Sequence, residues 1–177
     1  MQKKMYDDKL ILVTGGAGFI GSNVIRELND KGFNQIIVID ELDRTEKWQN
    51  LVGKEFVEFL PKEETFDWIK GKESSIEAVI HLGACSSTVE TDAAYLYQNN
   101  TRFSQKLYEI ALESNWRFVY ASSAATYGDG SQGFSDEHAG LKKLRPLNMY
   151  GLSKHWFDLW LLNQTQFKNA VGLKYFN

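Results

Sequence analysis

Leu10-Ile-Leu-Val-Thr14 is an apolar, β-branched run that halts on a glycine-rich turn, Gly15-Gly-Ala-Gly-Phe-Ile-Gly21. No other feature narrows the possible folds as far. An apolar run without alternation belongs to a strand covered on both faces, as in a parallel sheet flanked by helices. Gly15, Gly18 and Gly21 recur every third residue after that strand. The first glycine permits a tight turn. The second lets a pyrophosphate approach the backbone, and the third lets the following helix pack close to the sheet. A helix that starts here presents free N–H groups to an anion. Such a turn can also be purely structural. The strand before it, the helix after it and an acid, Asp40, at the end of the next strand weigh toward a dinucleotide.

The rest of the chain alternates strands with helices. A helix is expected over Phe19 to Lys31, with Val24, Ile25 and Leu28 inward and Gly32 at its end. Gln35–Asp40, Phe56–Leu60, Glu77–Leu82, Arg117–Ala121 and Ala170–Tyr175 read as further strands. Helices are expected near Glu63 to Lys70, Thr91 to Ser114 and Asn148 to Phe167, with Gly128 to Leu147 a long loop. The pattern predicts a doubly wound α/β parallel sheet with right-handed crossovers, one Rossmann domain over residues 1–177. The last strand ends at Tyr175-Phe-Asn177, which reads as a fragment that stops before a substrate-binding region.

Composition excludes several alternatives. Net charge is −3 over 177 residues, so binding driven by phosphate neutralisation on nucleic acid has no support. No apolar run is long enough to cross a bilayer, and Met1–Asp8 lacks the apolar stretch of a secretory signal. Cys85 is alone, which precludes an internal disulfide and fits a reducing cytoplasm. His81, His138 and His155 have no metal-ligand spacing with carboxylates or Cys85, so no metal site is expected.

Chemistry is concentrated in three places. Asp40 is suited to a ribose hydroxyl. Beside it, Glu41 would repel a 2′-phosphate, whereas Arg44 and Lys47 would attract one. Ser123 follows a buried strand, where ligands bind in such sheets. Tyr150 and Lys154 are four residues apart on one helix face. An ammonium near a phenol favours the phenolate, and a phenol so tuned can take a proton from a sugar hydroxyl and return it. Each residue also has a bland reading: strand-cap serine, surface tyrosine, solvated lysine. Their order downstream of the glycine turn favours hydride chemistry at a carbon bearing a hydroxyl. A hydrolase triad is disfavoured because no G-x-S-x-G elbow is present. Trp156, Phe157 and Trp160 suit core or subunit packing.

Thr14–Gly21, Ser123, Tyr150-x-x-x-Lys154 and the terminal Tyr175-Phe-Asn177 resemble the extended short-chain dehydrogenase/reductases. Within that superfamily the chain is most similar to the ADP-L-glycero-D-manno-heptose 6-epimerases of lipopolysaccharide core biosynthesis. Gly83-Ala-Cys-Ser-Ser-Thr88, Tyr120–Gly128 and Pro146–Lys154 carry the narrower likeness. The resemblance implies NADP, with NAD also open because Glu41 stands where an asparagine is expected. It implies cofactor contacts from Phe19, Ile20, Asp40, Glu41, Lys47, Lys62, Leu82, Gly83, Ala84, Cys85 and Ser86. Asn99 or Asn100 is expected at the nicotinamide side and Lys154 at its ribose.

The implied reaction inverts carbon six of an ADP-heptose by transient oxidation and reduction. Tyr150 is the implied acid/base, Ser123 orients the oxygen, and Asn177 contacts substrate. The family's second acid/base lysine lies beyond Asn177, so slow or absent epimerisation by this chain is expected. Self-association is common in such families. Ala124 and Ala125 stand where a dehydratase would need an acid pair. Another nucleotide-sugar epimerase and an inert dinucleotide-binding module remain the alternatives.

Overall fold

The computed structural model describes residues 8–164 and 169–176. Leu10–Thr14 forms β1, and its residues from Ile11 onward are buried, as a continuous apolar run requires. Helix α1, Phe19–Asp30, follows the glycine turn and ends one residue before the expected Lys31. Ile25 is its inward anchor at 0% exposure, and Gly32 lies just beyond the end with φ +83°. Strand β2 is Ile36–Asp40 and β3 is Glu58–Pro61, shifted toward the C-terminus of the expected stretch. A 3-10 turn at Lys62–Glu64 leads into the short α2, Thr65–Ile69, and β4 is Ile76–His81.

The expected long helix divides into α3, Ala93–Leu96, a π-helical stretch at Tyr97–Arg102 and α4, Phe103–Glu113. Strand β5, Arg117–Ser123, is longer than predicted, so both serines belong to it. The stretch expected to be loop contains a 3-10 helix, His138–Lys143. Helix α5 is Met149–Leu162; Asn148 is its N-cap, with Oδ1 accepting from the Gly151 N–H at 2.7 Å. The expected extension toward Phe167 falls partly outside the described residues. Strand β6 is Ala170–Tyr175.

The strands form one six-stranded sheet in the order β3-β2-β1-β4-β5-β6. β1 pairs in parallel with both β2 and β4, so the chain reverses its direction of travel across the sheet at the β1/β4 edge. The described residues form two compact units. One comprises those up to Gly83 with Ala111–Val119; the other comprises Ala84–Ile110 and those from Tyr120 onward. In the first, Ile11, Val13, Ile25, Ile36 and Val38 make a core that packs against Leu28 and Phe33. Each such side chain contributes about 1.5–3 kcal/mol on burial. In the second, Tyr127, Leu141 and Leu144 form a buried cluster with Ala124, Leu159 and Leu162 packed against it.

Candidate functional site

In the first unit, the glycine turn stands at the carboxyl ends of β1, β2 and β4. Gly15 has φ +68°, and a Cβ there would lie 2.6 Å from the Gly83 nitrogen. A Cβ on Gly21 would lie 2.1 Å from the Gly15 carbonyl oxygen. The fold itself therefore demands these two glycines. Gly18 differs: its Cβ would meet only the Gly15 oxygen, at 3.2 Å. Beyond that one tight backbone contact a Cβ on Gly18 meets nothing within 4 Å, which fits a position kept small for an approaching ligand. Gly18 N-caps α1 without a side-chain bond. Phe19 is 82% exposed and Ile20 is 39% exposed, so the first helical turn opens to solvent. Its N–H groups lack intrahelical partners, as at every helix start. The turn thus fits the pyrophosphate of a dinucleotide.

Asp40 is tied to this turn. Its Oδ2 accepts from the Ala17 N–H at 2.8 Å, and its Oδ1 accepts from the Glu41 N–H at 2.7 Å and from Lys47 Nζ at 3.0 Å. Asn50 adds a second brace, donating from Nδ2 to the Ala17 carbonyl at 2.8 Å. Lys62 Nζ lies 3.1 Å from the Glu41 carboxylate. Thr14 closes the β1/β4 end: its hydroxyl bonds His81 Nδ1 at 2.6 Å and accepts from the Gly83 N–H at 3.0 Å. The Leu82 N–H donates to the Thr14 carbonyl at 3.1 Å. Gly15, Gly18, Phe19, Ile20, Gly21, Asp40, Glu41, Lys47, Lys62, Leu82 and Gly83 therefore all belong to the first unit.

In the second unit, α5 carries Tyr150 and Lys154 one turn apart, about 6 Å along the axis. Lys154 is 3% exposed. Burial pulls its ammonium down from 10.5 to about 8, with the Asp158 carboxylate opposing. Tyr150 is half-buried. Ser123 ends β5 at 7% exposure, and its hydroxyl accepts from the Ala125 N–H at 3.1 Å. The cap role that serine commonly plays is thus realised here.

Ala84, Cys85 and Ser86 follow the β4 end. Cys85 is clamped by Asn100, whose Oδ1 accepts from the Cys85 N–H at 2.9 Å and whose Nδ2 donates to the Cys85 carbonyl at 3.0 Å. The same Nδ2 donates to Ser153 Oγ at 2.9 Å, and Thr101 Oγ1 donates to the Ser153 carbonyl at 2.8 Å. Asn100 is 1% exposed, so its carboxamide holds the protein's own backbone. Of the two asparagines considered for the nicotinamide side, Asn99 is the more exposed, half-buried and donating to Asn100 Oδ1 at 2.9 Å. Asn177 lies outside the described residues. Among the described residues no His, Cys, Asp and Glu cluster could hold a metal ion.

Sequence reading missed Asp158 and Lys174. Asp158, 3% exposed, accepts from Tyr120 Oη at 2.9 Å, Ser122 Oγ at 2.7 Å and Lys174 Nζ at 2.9 Å. Lys174 also reaches Thr126 Oγ1 at 2.6 Å, and Thr126 donates to the Ser123 carbonyl at 2.7 Å. Burial and the Asp158 charge push the Tyr120 phenol upward, so it stays protonated and donates. The network braces the turn behind Ser123 and sits one helical turn beyond Lys154. Its one available signal was the spacing of Asp158 from Lys154. His155, 4% exposed, leaves Nδ1 without a partner, and burial lowers its pKa, favouring the neutral ring. Of the α5 aromatics, Phe157 is 1% exposed and packs edge-on against Tyr120 and face-on against Trp160. Trp156 remains 39% exposed.

The model of the NAD dependent epimerase/dehydratase family matches residues 11–177. A relative from Nitratidesulfovibrio vulgaris strain DP4, named ADP-L-glycero-D-manno-heptose-6-epimerase, is 46% identical over 170 residues, covering 95% of this chain and 53% of the relative. A protein of the same name from Fusobacterium nucleatum is 45% identical over 173 residues, covering 95% and 52%. The crystal structure of the Helicobacter pylori protein of that name superposes with a TM-score of 0.79 at 29% identity, over 97% of this chain and 56% of that one. UDP-glucose 4-epimerase from Brucella ovis, solved in complex with NAD, gives a TM-score of 0.74 at 28% identity, over 96% and 52%. The chain spans about half the length of the curated relatives it matches.

Proposed function

The chain belongs to the NAD dependent epimerase/dehydratase family, and from that premise we propose that it carries the dinucleotide-binding and acid/base parts of an ADP-glycero-manno-heptose 6-epimerase that supplies lipopolysaccharide core precursors. The observation that carries this reading is the buried Lys154 one turn beyond Tyr150 on α5, in a chain that also carries the glycine turn. The glycine turn and the N-terminus of α1 would hold the pyrophosphate, and Asp40 and Glu41 would meet the adenosine ribose. When bound, a nicotinamide dinucleotide supplies a reversible hydride acceptor.

The chain's own residues manage the proton and the geometry. Tyr150 would serve as one acid/base, taking the proton of the carbon-six hydroxyl through its phenolate oxygen as hydride leaves. Protonation from the opposite face needs a second acid/base, so slow or absent epimerisation by these residues alone is expected. The Lys154 ammonium, largely charged near neutral pH, stabilises that phenolate. Ser123 donates its hydroxyl proton to the sugar oxygen and orients it. Asn100 holds the Cys85 backbone to Ser153, next to Lys154. NADP is the cofactor that the resemblance implies. The setting we propose is the cytoplasm. The exposed Trp156 makes α5 a face for self-association, which sedimentation would read.

The test follows inversion at carbon six of ADP-linked heptose by NMR, with ADP- and UDP-hexoses alongside. Tyr150→Phe is expected to abolish hydride transfer while dinucleotide still binds in a calorimeter. Binding without transfer in the unsubstituted chain would leave a dinucleotide-binding module. Preference for a UDP-sugar would move the substrate to another epimerase, and absence of binding would overturn the reading.

A further inference from the structure

The carboxyl ends of β2 and β3 border an open cavity of about 230 Å³. Four acids line it, Asp40, Glu41, Asp43 and Glu63, against an apolar wall of Leu42, Phe59 and Pro61. The cavity adjoins the glycine turn through Asp40, whose Oδ2 holds the Ala17 N–H. This inference rests on the dinucleotide reading above, which places the adenosine ribose at Asp40.

Two properties of the rim limit what that ribose can carry. The first is donor and acceptor chemistry. Ionised carboxylates only accept hydrogen bonds. Ribose hydroxyls donate to them, whereas a phosphate dianion brings three more acceptors. The second is charge. Among the described residues, two lysines pair with the lining acids. Lys47 Nζ sits 3.0 Å from Asp40 Oδ1 and 2.8 Å from the Glu41 carbonyl. Lys62 Nζ sits 3.1 Å from the Glu41 carboxylate. The four acids outnumber these two lysines, so the rim stays negative when both are counted. Arg44 is exposed and does not line the cavity. A 2′-phosphate would have to displace an acid from each lysine it recruits, leaving that acid unpaired beside it.

We infer that Glu41 and Asp43 make this cavity select a dinucleotide with free adenosine-ribose hydroxyls, NAD over NADP. Asp40 holds the turn; of the three other acids, Glu41 and Asp43 follow Asp40 directly in the chain and are the two assigned the discriminating charge. Glu41 acts twice, as a repelling carboxylate and as the counter-ion that occupies Lys62.

Calorimetric titration of the chain with NAD and with NADP tests this at about 0.02 M and about 0.3 M salt, on either side of strong screening. NAD is expected to bind more tightly by about tenfold or more at low salt, a factor equivalent to about 1.4 kcal/mol. The ratio should narrow at high salt as the rim charges are screened. The double substitution Glu41→Gln with Asp43→Asn should shift the NAD-to-NADP ratio toward NADP by about tenfold. Equal affinities, tighter NADP binding, or a ratio untouched by the double substitution would overturn the inference and leave the dinucleotide reading standing. Failure of both dinucleotides to bind would remove that reading, and this one with it.

Discussion

Lys154 shows how one residue carries opposed demands. Its ammonium is buried within α5, and desolvation lowers its pKa from 10.5 to about 8. Folded Lys154 therefore releases its proton at a lower pH than unfolded Lys154. Between these values the unfolded chain binds more protons, so this residue's contribution to stability rises with pH. Below about 8 the full cost of burying the charge is present. Denaturant unfolding of the wild type relative to Lys154→Met should show a gain of about 2 kcal/mol from pH 7.5 to 9.5. Parallel pH dependences in the two proteins would show that the amine is not desolvated. The methionine variant should also be more stable at pH 7.5, since it buries no charge.

At the scale of elements, the strand-to-helix turn separates two glycines that the fold demands, Gly15 and Gly21, from Gly18, which it constrains less. Gly21→Ala drives a Cβ to 2.1 Å from the Gly15 carbonyl and should destabilise the protein by about 3 kcal/mol or more, because backbone must move. Gly18→Ala meets only one atom at 3.2 Å. Its stability should change by less than about 1 kcal/mol, while dinucleotide affinity falls about tenfold or more as the backbone loses its approach. Thermal melts and titrations of the two variants check the contrast; equal losses of stability would mean that Gly18 too is structural. The π-helical stretch Tyr97–Arg102 is a second case. It interrupts the expected single helix and contains buried Asn100, which bonds both Cys85 and Ser153. Such stretches are frequent at functional sites. Helical periodicity runs through the segment without marking the change, because the signal lies in a partner tens of residues away.

At the scale of the whole molecule, the six-stranded order β3-β2-β1-β4-β5-β6 places the ends of β1 and β4 at the switch point where such sheets take ligands. Binding there must register as stability. Saturating dinucleotide at about 100 times its dissociation constant should raise the unfolding free energy by about 2.7 kcal/mol. A melt that stays unchanged however much NAD is added would mean that the native chain has no affinity for it.

The sequence by itself determined the fold class and most elements. Buried parallel strands are continuous apolar runs, and a glycine turn between strand and helix is a local steric pattern; β1 and β6 fall where the pattern put them. It also singled out Gly15, Gly18, Gly21, Ser123, Tyr150 and Lys154, whose spacing is local. Only the tertiary structure decided which polar groups are already engaged. Asp40 proved to brace Ala17, Asn100 to clamp Cys85, and Asp158 to bind Tyr120, Ser122 and Lys174. Hydrogen bonds between residues 15 to 38 positions apart leave no periodicity in the chain, since their geometry exists only once the strands and helices have packed.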